Sequence, residues 1–118
     1  MCKLCRVDIS RSKELFEGIE RYKNVLVEKL KPKKIILFGS FARGDFSEGS
    51  DIDLIVVGEW NESFLDRIKV LLELNVENLP IEPLGYTEEE FNRMLREENP
   101  FILNVLNEGI ILYESNLL

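Results

Sequence analysis

The sequence predicts an α/β domain: a small mixed β-sheet with flanking helices. Three observations predict it. "KIILF" (Lys34–Phe38) and "DIDLIVV" (Asp51–Val57) are short, β-branched apolar runs without alternation, as expected of strands buried on both faces. Stretches of helical periodicity lie before, between and after them. With 118 residues, 45% hydrophobic and 31% charged, the chain suits one globular domain, residues 1–118.

The elements follow in order. Ser10 or Ser12 is able to cap a first helix running to about Leu30. Leu15, Ile19, Tyr22, Leu26 and Leu30 make its apolar stripe, and Lys31-Pro32 ends it. The Lys34–Phe38 strand stops at Gly39-Ser40, which turns into a short helix over Phe41–Gly44. "DFSEGS" is a loop, and Asp51–Val57 the second strand. A second long helix begins at Asn61 or Glu62, with Phe64, Leu65, Ile68, Leu71, Leu72 and Asn75 tracing its inner face and exit. "LPIEPLGY" (Leu79–Tyr86) has the length of a third strand, and its two prolines place it at an edge or limit its pairing. Thr87-Glu88-Glu89-Glu90 is a capping box opening a helix to about Glu97, with Phe91, Met94 and Leu95 inward. Asn99-Pro100 starts a last short helix, Gly109 ends it, and "IILY" follows as a terminal strand or tail. That apolar end and Leu117-Leu118 hint at an edge seeking a partner, and so at a homodimer.

Charge and composition exclude several functions. The net charge of −7 argues against direct non-specific nucleic-acid binding, yet permits a nucleotide in a locally basic or metal-bearing pocket. No apolar stretch is long enough to cross a membrane, and "MCKLCRVDIS" lacks a signal core, so the expected compartment is the cytoplasm. The chain has no histidine, which removes Ser-His-Asp and Cys-His chemistry. Cys2 and Cys5 form a lone C-x-x-C, read as two reduced thiols on a frayed terminus.

The informative stretch is "FGSFARGDFSEGSDIDLIVVG" (Phe38–Gly58). Alternate strand residues share a face, roughly 6.5–7 Å apart, so Asp51 and Asp53 project together while Ile52 enters the core. Carboxylates gathered at one place repel unless a cation lies between them, and hard ions such as Mg²⁺ take oxygen ligands along with substrate phosphates. The Gly39-Ser40 turn supplies the complement. A strand end, a glycine turn and a helix start offer backbone N–H groups and a hydroxyl to a phosphate. Arg43, with Lys33 or Lys34, adds positive charge. The Gly-x-x-x-x-Gly-Lys frame of a P-loop is absent.

Gly39-Ser40, ten residues, then Asp51-Ile52-Asp53 resembles the signature of the DNA-polymerase-β-like nucleotidyltransferases, and "GSFARGDFSEGSDIDL" looks like their minimal (MNT) branch. The resemblance implies a polymerase-β-like palm fold. It implies ATP or another nucleoside triphosphate on Gly39, Ser40 and Arg43, with Mg²⁺ on Asp51 and Asp53. A third carboxylate on the next strand, usually aspartate, completes such sites. The matching position is Glu82, a departure one methylene longer, read either as a catalytic metal ligand or as a solvated edge residue; Glu77 is the lesser alternative. MNT proteins are similar to antitoxins that partner a HEPN-domain toxin, in several cases by transferring AMP to a toxin tyrosine. The resemblance therefore implies a protein adenylyltransferase acting as antitoxin. A binding-type antitoxin of weak chemistry and a small-molecule nucleotidyltransferase remain the alternatives.

Overall fold

The computed structural model describes residues 2–47 and 49–115, with side chains from residue 13 onward. The element order is α1 (Cys2–Leu30), β1 (Lys34–Phe38), α2 (Ser40–Arg43), β2 (Ile52–Gly58), α3 (Phe64–Glu73), β3 (Ile81–Thr87), α4 (Glu88–Arg96), α5 (Pro100–Glu108) and β4 (Ile110–Glu114). The four strands form one mixed sheet in the order β3-β2-β1-β4. β1 is antiparallel to both β2 and β4, while β2 and β3 run parallel across the α3 crossover.

Helix α1 starts at Cys2, earlier than a cap at Ser10 or Ser12 would place it, so the terminal thiols lie on helical backbone rather than on a frayed end. Their side chains, like Leu117-Leu118, lie outside the described residues. The expected stripe is the buried one: Ile19, Tyr22 and Leu26 are core residues, with Leu15 and Leu30 packed against them. Tyr22 donates its hydroxyl to the Leu71 carbonyl at 2.6 Å, which ties α1 to α3. Leu26 is fully buried, worth about 1.5–3 kcal/mol of transfer free energy.

The sheet is covered on both sides, which explains why its inner strands do not alternate. Ile35, Leu37, Leu54 and Val56 pack under α1 and α3. Ile36, Ile55 and Val57 pack under Phe91 of α4 and Ile102 and Val105 of α5. β3 is an edge strand, as its prolines require, although it pairs with β2 along its whole length. The terminal "IILY" is an edge strand too, and leaves Ile110 and Ile111 exposed.

The inner face of α3 differs from expectation. Ser63 caps it and Leu71 is buried, but Phe64, Leu65 and Leu72 are exposed. Arg67 takes the buried position instead, at 7% exposure. Its guanidinium donates to the carbonyls of Glu62 and Gly85 and pairs with Glu90 at 2.7 Å. Glu90 also closes the capping box on the Thr87 backbone N–H, while the Thr87 hydroxyl accepts from the Glu90 amide. One acid thus starts α4 and locks it to α3. An arginine on an apolar stripe reads locally as an exposed residue, so the sequence pattern hides this contact.

Candidate active site

The site forms where β1 ends and β2 begins. Antiparallel pairing sets Phe38 opposite Asp53, so the turn after β1 lies beside the acids that open β2. The parallel register sets Asp53 opposite Glu82. Paired residues of adjacent strands point to the same face. Ser40, Asp53 and Glu82 are therefore reached by three neighbouring segments of backbone, and Asp51 immediately precedes β2 on the solvent side.

Gly39 has φ 74° and ψ −155°, a region essentially reserved for glycine. A Cβ there would collide with the Asp53 carboxylate. Glycine is thus required both by backbone conformation and by the acid it faces. Gly39 caps α2 without any side-chain hydrogen bond. The amides of Ser40 and Phe41 donate to no backbone carbonyl among the described residues, whereas those of Ala42 and Arg43 return to the Gly39 carbonyl at 3.1 and 3.0 Å.

The acids act on one another. Burial raises the Asp53 carboxyl above the ordinary carboxylate range; the Asp51 charge adds to this, while a hydrogen bond with Glu82 and the charge of Arg43 oppose it. Glu82 is raised as well, chiefly by the negative charge of Asp51, with smaller contributions that include Asp53 and hydrogen bonds to both aspartates. This is the signature of an uncompensated negative cluster.

The donor chemistry fits a hard divalent cation, which prefers carboxylate oxygens. The side chains do not stand as a finished cage: among the described residues no group of three or more acid, cysteine or histidine side chains is gathered as a metal-holding cluster. Asp51 and Glu82 are exposed, while Asp53 is half-buried beside Gly39.

Arg43 ends α2 and is the cation nearest the acids in sequence and effect. It pairs with Asp45 at 3.0 Å and with Glu108 of α5 at 2.9 Å. Lys33 and Lys34 stand at the opposite end of β1 from Gly39, where Lys34 lies 3.5 Å from Glu114, so neither charges the turn. Glu77 is bound to Arg21 at 2.7 Å and lies outside β3, whereas Glu82 occupies the strand position beside Asp53. Phe41 is buried and stacks on Phe46 at 4.3 Å, so both serve packing. Phe38 instead meets Phe101 edge-on at 5.5 Å and lines a cavity of about 450 Å³. Ile68, Leu72, Ile81, Pro83 and Leu84 complete its apolar wall, and Asp53 and Glu82 supply its polar end. Phe101 was not legible as a site residue, because only the fold brings α5 to the Glu82 side.

Comparison with known proteins shows the family and the fold. The family model of the nucleotidyltransferase domain matches residues 19–112. A protein of Methanocaldococcus jannaschii provisionally named a protein adenylyltransferase is 40% identical over 101 residues, covering 82% of this chain and 96% of its own length. Another of that organism, of the same provisional name, is 30% identical, covering 83% of this chain and 93% of its own length. A crystal structure from Sulfolobus solfataricus, provisionally named a nucleotidyltransferase, aligns with TM-score 0.65 at 18% identity, over 91% of this chain and 86% of that one. A chain of a toxin-antitoxin crystal structure with AMP-PNP aligns with TM-score 0.53 at 21% identity, over 82% and 74%.

Proposed function

Since the chain belongs to the nucleotidyltransferase domain family, we propose that it is a Mg²⁺-dependent adenylyltransferase that moves AMP from ATP to a hydroxyl of a partner protein. The observation that carries this reading is the juxtaposition of the Gly39 turn with Asp53 and Glu82 on adjacent strands. The provisional names of the relatives support AMP and a protein acceptor. The likeness to a chain of a toxin-antitoxin structure supports a toxin as the partner; we extend this to an antitoxin in the cytoplasm, with the tyrosine of a HEPN-type toxin as acceptor.

Each residue has a defined task. The Ser40 hydroxyl and the first-turn amides of α2 hold the leaving phosphates, and Arg43 adds charge to them. Asp51, Asp53 and Glu82 would hold Mg²⁺, which when bound polarises the α-phosphate and eases ionisation of the acceptor. Asp53, half-buried beside Gly39, is the acid on which its two exposed neighbours would close. Phosphates on the β1 side leave the β3 side for the acceptor, since attack and departure are in line. The cavity at Glu82 is the opening on that side, and its apolar wall shields the attacking hydroxyl from water.

Label transfer from α-labelled ATP in host lysate, wild type beside Asp51→Asn/Asp53→Asn, tests the reading. A labelled protein band that requires both aspartates is the expected result. No label from either protein would sink the transferase reading. If such a protein still formed a toxin complex that survived the double substitution, the binding-type antitoxin would replace it, with the longer Glu82 and the open arrangement of acids as the reason.

A further inference from the structure

We propose that Glu108 serves as an internal stand-in for phosphate: it holds Arg43 before nucleotide binds and yields it to the nucleotide, so that nucleotide binding loosens the α5–β4 junction. The inference rests on the reading of the Gly39 turn as a triphosphate site.

Glu108 is placed where a helix disfavours it. It is the last residue of α5, and that helix has no basic residue in its final turn. A carboxylate there meets the negative end of the macrodipole, so local structure gives it no reason to be ordered. Its partner comes from 65 residues away in sequence. The Arg43 Nη1 donates to both Glu108 oxygens, at 2.9 and 3.3 Å, while Nε donates to Asp45 at 3.0 Å. The Glu108 side chain is 19% exposed and that of Arg43 44%, so the carboxylate is the more sheltered partner. Gly109 behind it is pressed against β1: a Cβ would lie 2.9 Å from the Ile36 Cγ2 and 3.2 Å from the Leu37 carbonyl oxygen. The carboxylate is therefore carried on a rigid mount that ends beside the strand leading into the Gly39 turn.

Arg43 follows Ser40 by one helical turn, on the same side of α2. Its charge reaches Asp53. A guanidinium so placed prefers the multiple charges of a triphosphate to two separate carboxylates. Transfer of Arg43 to phosphate leaves Glu108 with the dipole repulsion and no partner. The last turn of α5 and the start of β4 then become the least stable backbone near the site.

The test measures affinity for Mg²⁺-AMP-PNP at low salt, by calorimetry, for wild type, Glu108→Gln, Arg43→Gln and the double variant. Glu108→Gln should bind about two- to five-fold tighter, the range of a partly exposed ion pair. Arg43→Gln should bind more weakly and erase the gain in the double variant. Hydrogen exchange at residues 106–112 should quicken on nucleotide binding in wild type, and not in Glu108→Gln. Asp45→Asn, which frees only Nε, should tighten binding less and carries the test if Glu108→Gln does not fold. Unchanged or weaker binding by Glu108→Gln, or a gain that persists without Arg43, overturns the proposal. Wild type and Arg43→Gln binding alike would overturn it while the Gly39 site stands; absence of binding in every variant would overturn both.

Discussion

Gly39→Ala separates two duties of one glycine. The backbone duty is conformational: φ 74° with ψ −155° costs an alanine about 1–3 kcal/mol. Unfolding entropy near 2.1 cal/mol/K per residue over 118 residues gives about 250 cal/mol/K, so the melting temperature should fall by about 4–12 °C. The second duty is steric. The new methyl occupies the place of the Asp53 carboxylate, which must rotate away. A misplacement of about 1 Å in a reacting centre costs on the order of 100-fold in rate. Gly44→Ala is the control, since Gly44 has φ 85° but nothing within 4 Å of its would-be Cβ. It should lose stability of similar order and keep its transfer activity. The assay is AMP transfer well below both melting temperatures, beside thermal unfolding of each protein. If Gly39→Ala transferred AMP as fast as Gly44→Ala, the contact with Asp53 would not matter to the chemistry and the site as assembled here would be wrong.

Other perturbations give separate readouts. Asp53 and Glu82 both have raised folded values, so their contribution favours folding below the ordinary carboxylate range and is lost as pH rises through the raised values; metal-free Asp53→Asn should therefore melt no lower than wild type near neutral pH while losing transfer. Mg²⁺ with AMP-PNP should raise the melting temperature of wild type and leave that of Asp51→Asn/Asp53→Asn unmoved, as measured by calorimetric scans. Arg67→Ala should cost about 3 kcal/mol in urea unfolding, because it leaves the Gly85 carbonyl and Glu90 without their partner. Glu90 is lowered chiefly by its hydrogen bond with Arg67, so its contribution is present above the ordinary glutamate value and fades as pH falls through the lowered one; Glu90→Gln should flatten that acid limb of the stability curve.

The fold was legible where local signals and tertiary demand coincide. The α1 stripe, the capping box at Thr87 and the Asn99 cap each appear in the structure where the residues place them. An edge position for β3 is one of the two outcomes its prolines allow, and β3 takes it while pairing along its whole length. Illegible features share one cause: they depend on partners distant in sequence. Arg67 looks like a surface residue until Gly85 and Glu90 arrive from the other side of α3. Phe64, Leu65 and Leu72 look like core residues, yet they stay exposed while α3 buries Arg67 and Leu71. Lys33 and Lys34 look close to Gly39 by number, but a strand carries them to its far end at about 3.3 Å per residue.

The candidate site shows why its acids were readable and their company was not. Acids are costly where a buried strand begins, so Asp51-Ile52-Asp53 announces a purpose by its position alone. The Gly39 signal was readable for half of its reason: a close approach to the backbone was expected, with phosphate as the visitor, whereas the nearest group is Asp53 itself. That difference changes what the glycine does. It docks the one partly buried acid of the three and leaves the exposed pair, Asp51 and Glu82, to adjust. A fixed acid with two movable ones tolerates a longer third side chain better than a rigid trio would. Glu82→Asp therefore discriminates. If the exposed pair adjusts, the shorter acid should keep transfer within about ten-fold of wild type, because closure absorbs one methylene. If the longer arm is required to reach from β3, Glu82→Asp should fall to the level of Glu82→Gln, and the division into one fixed and two mobile acids would fail.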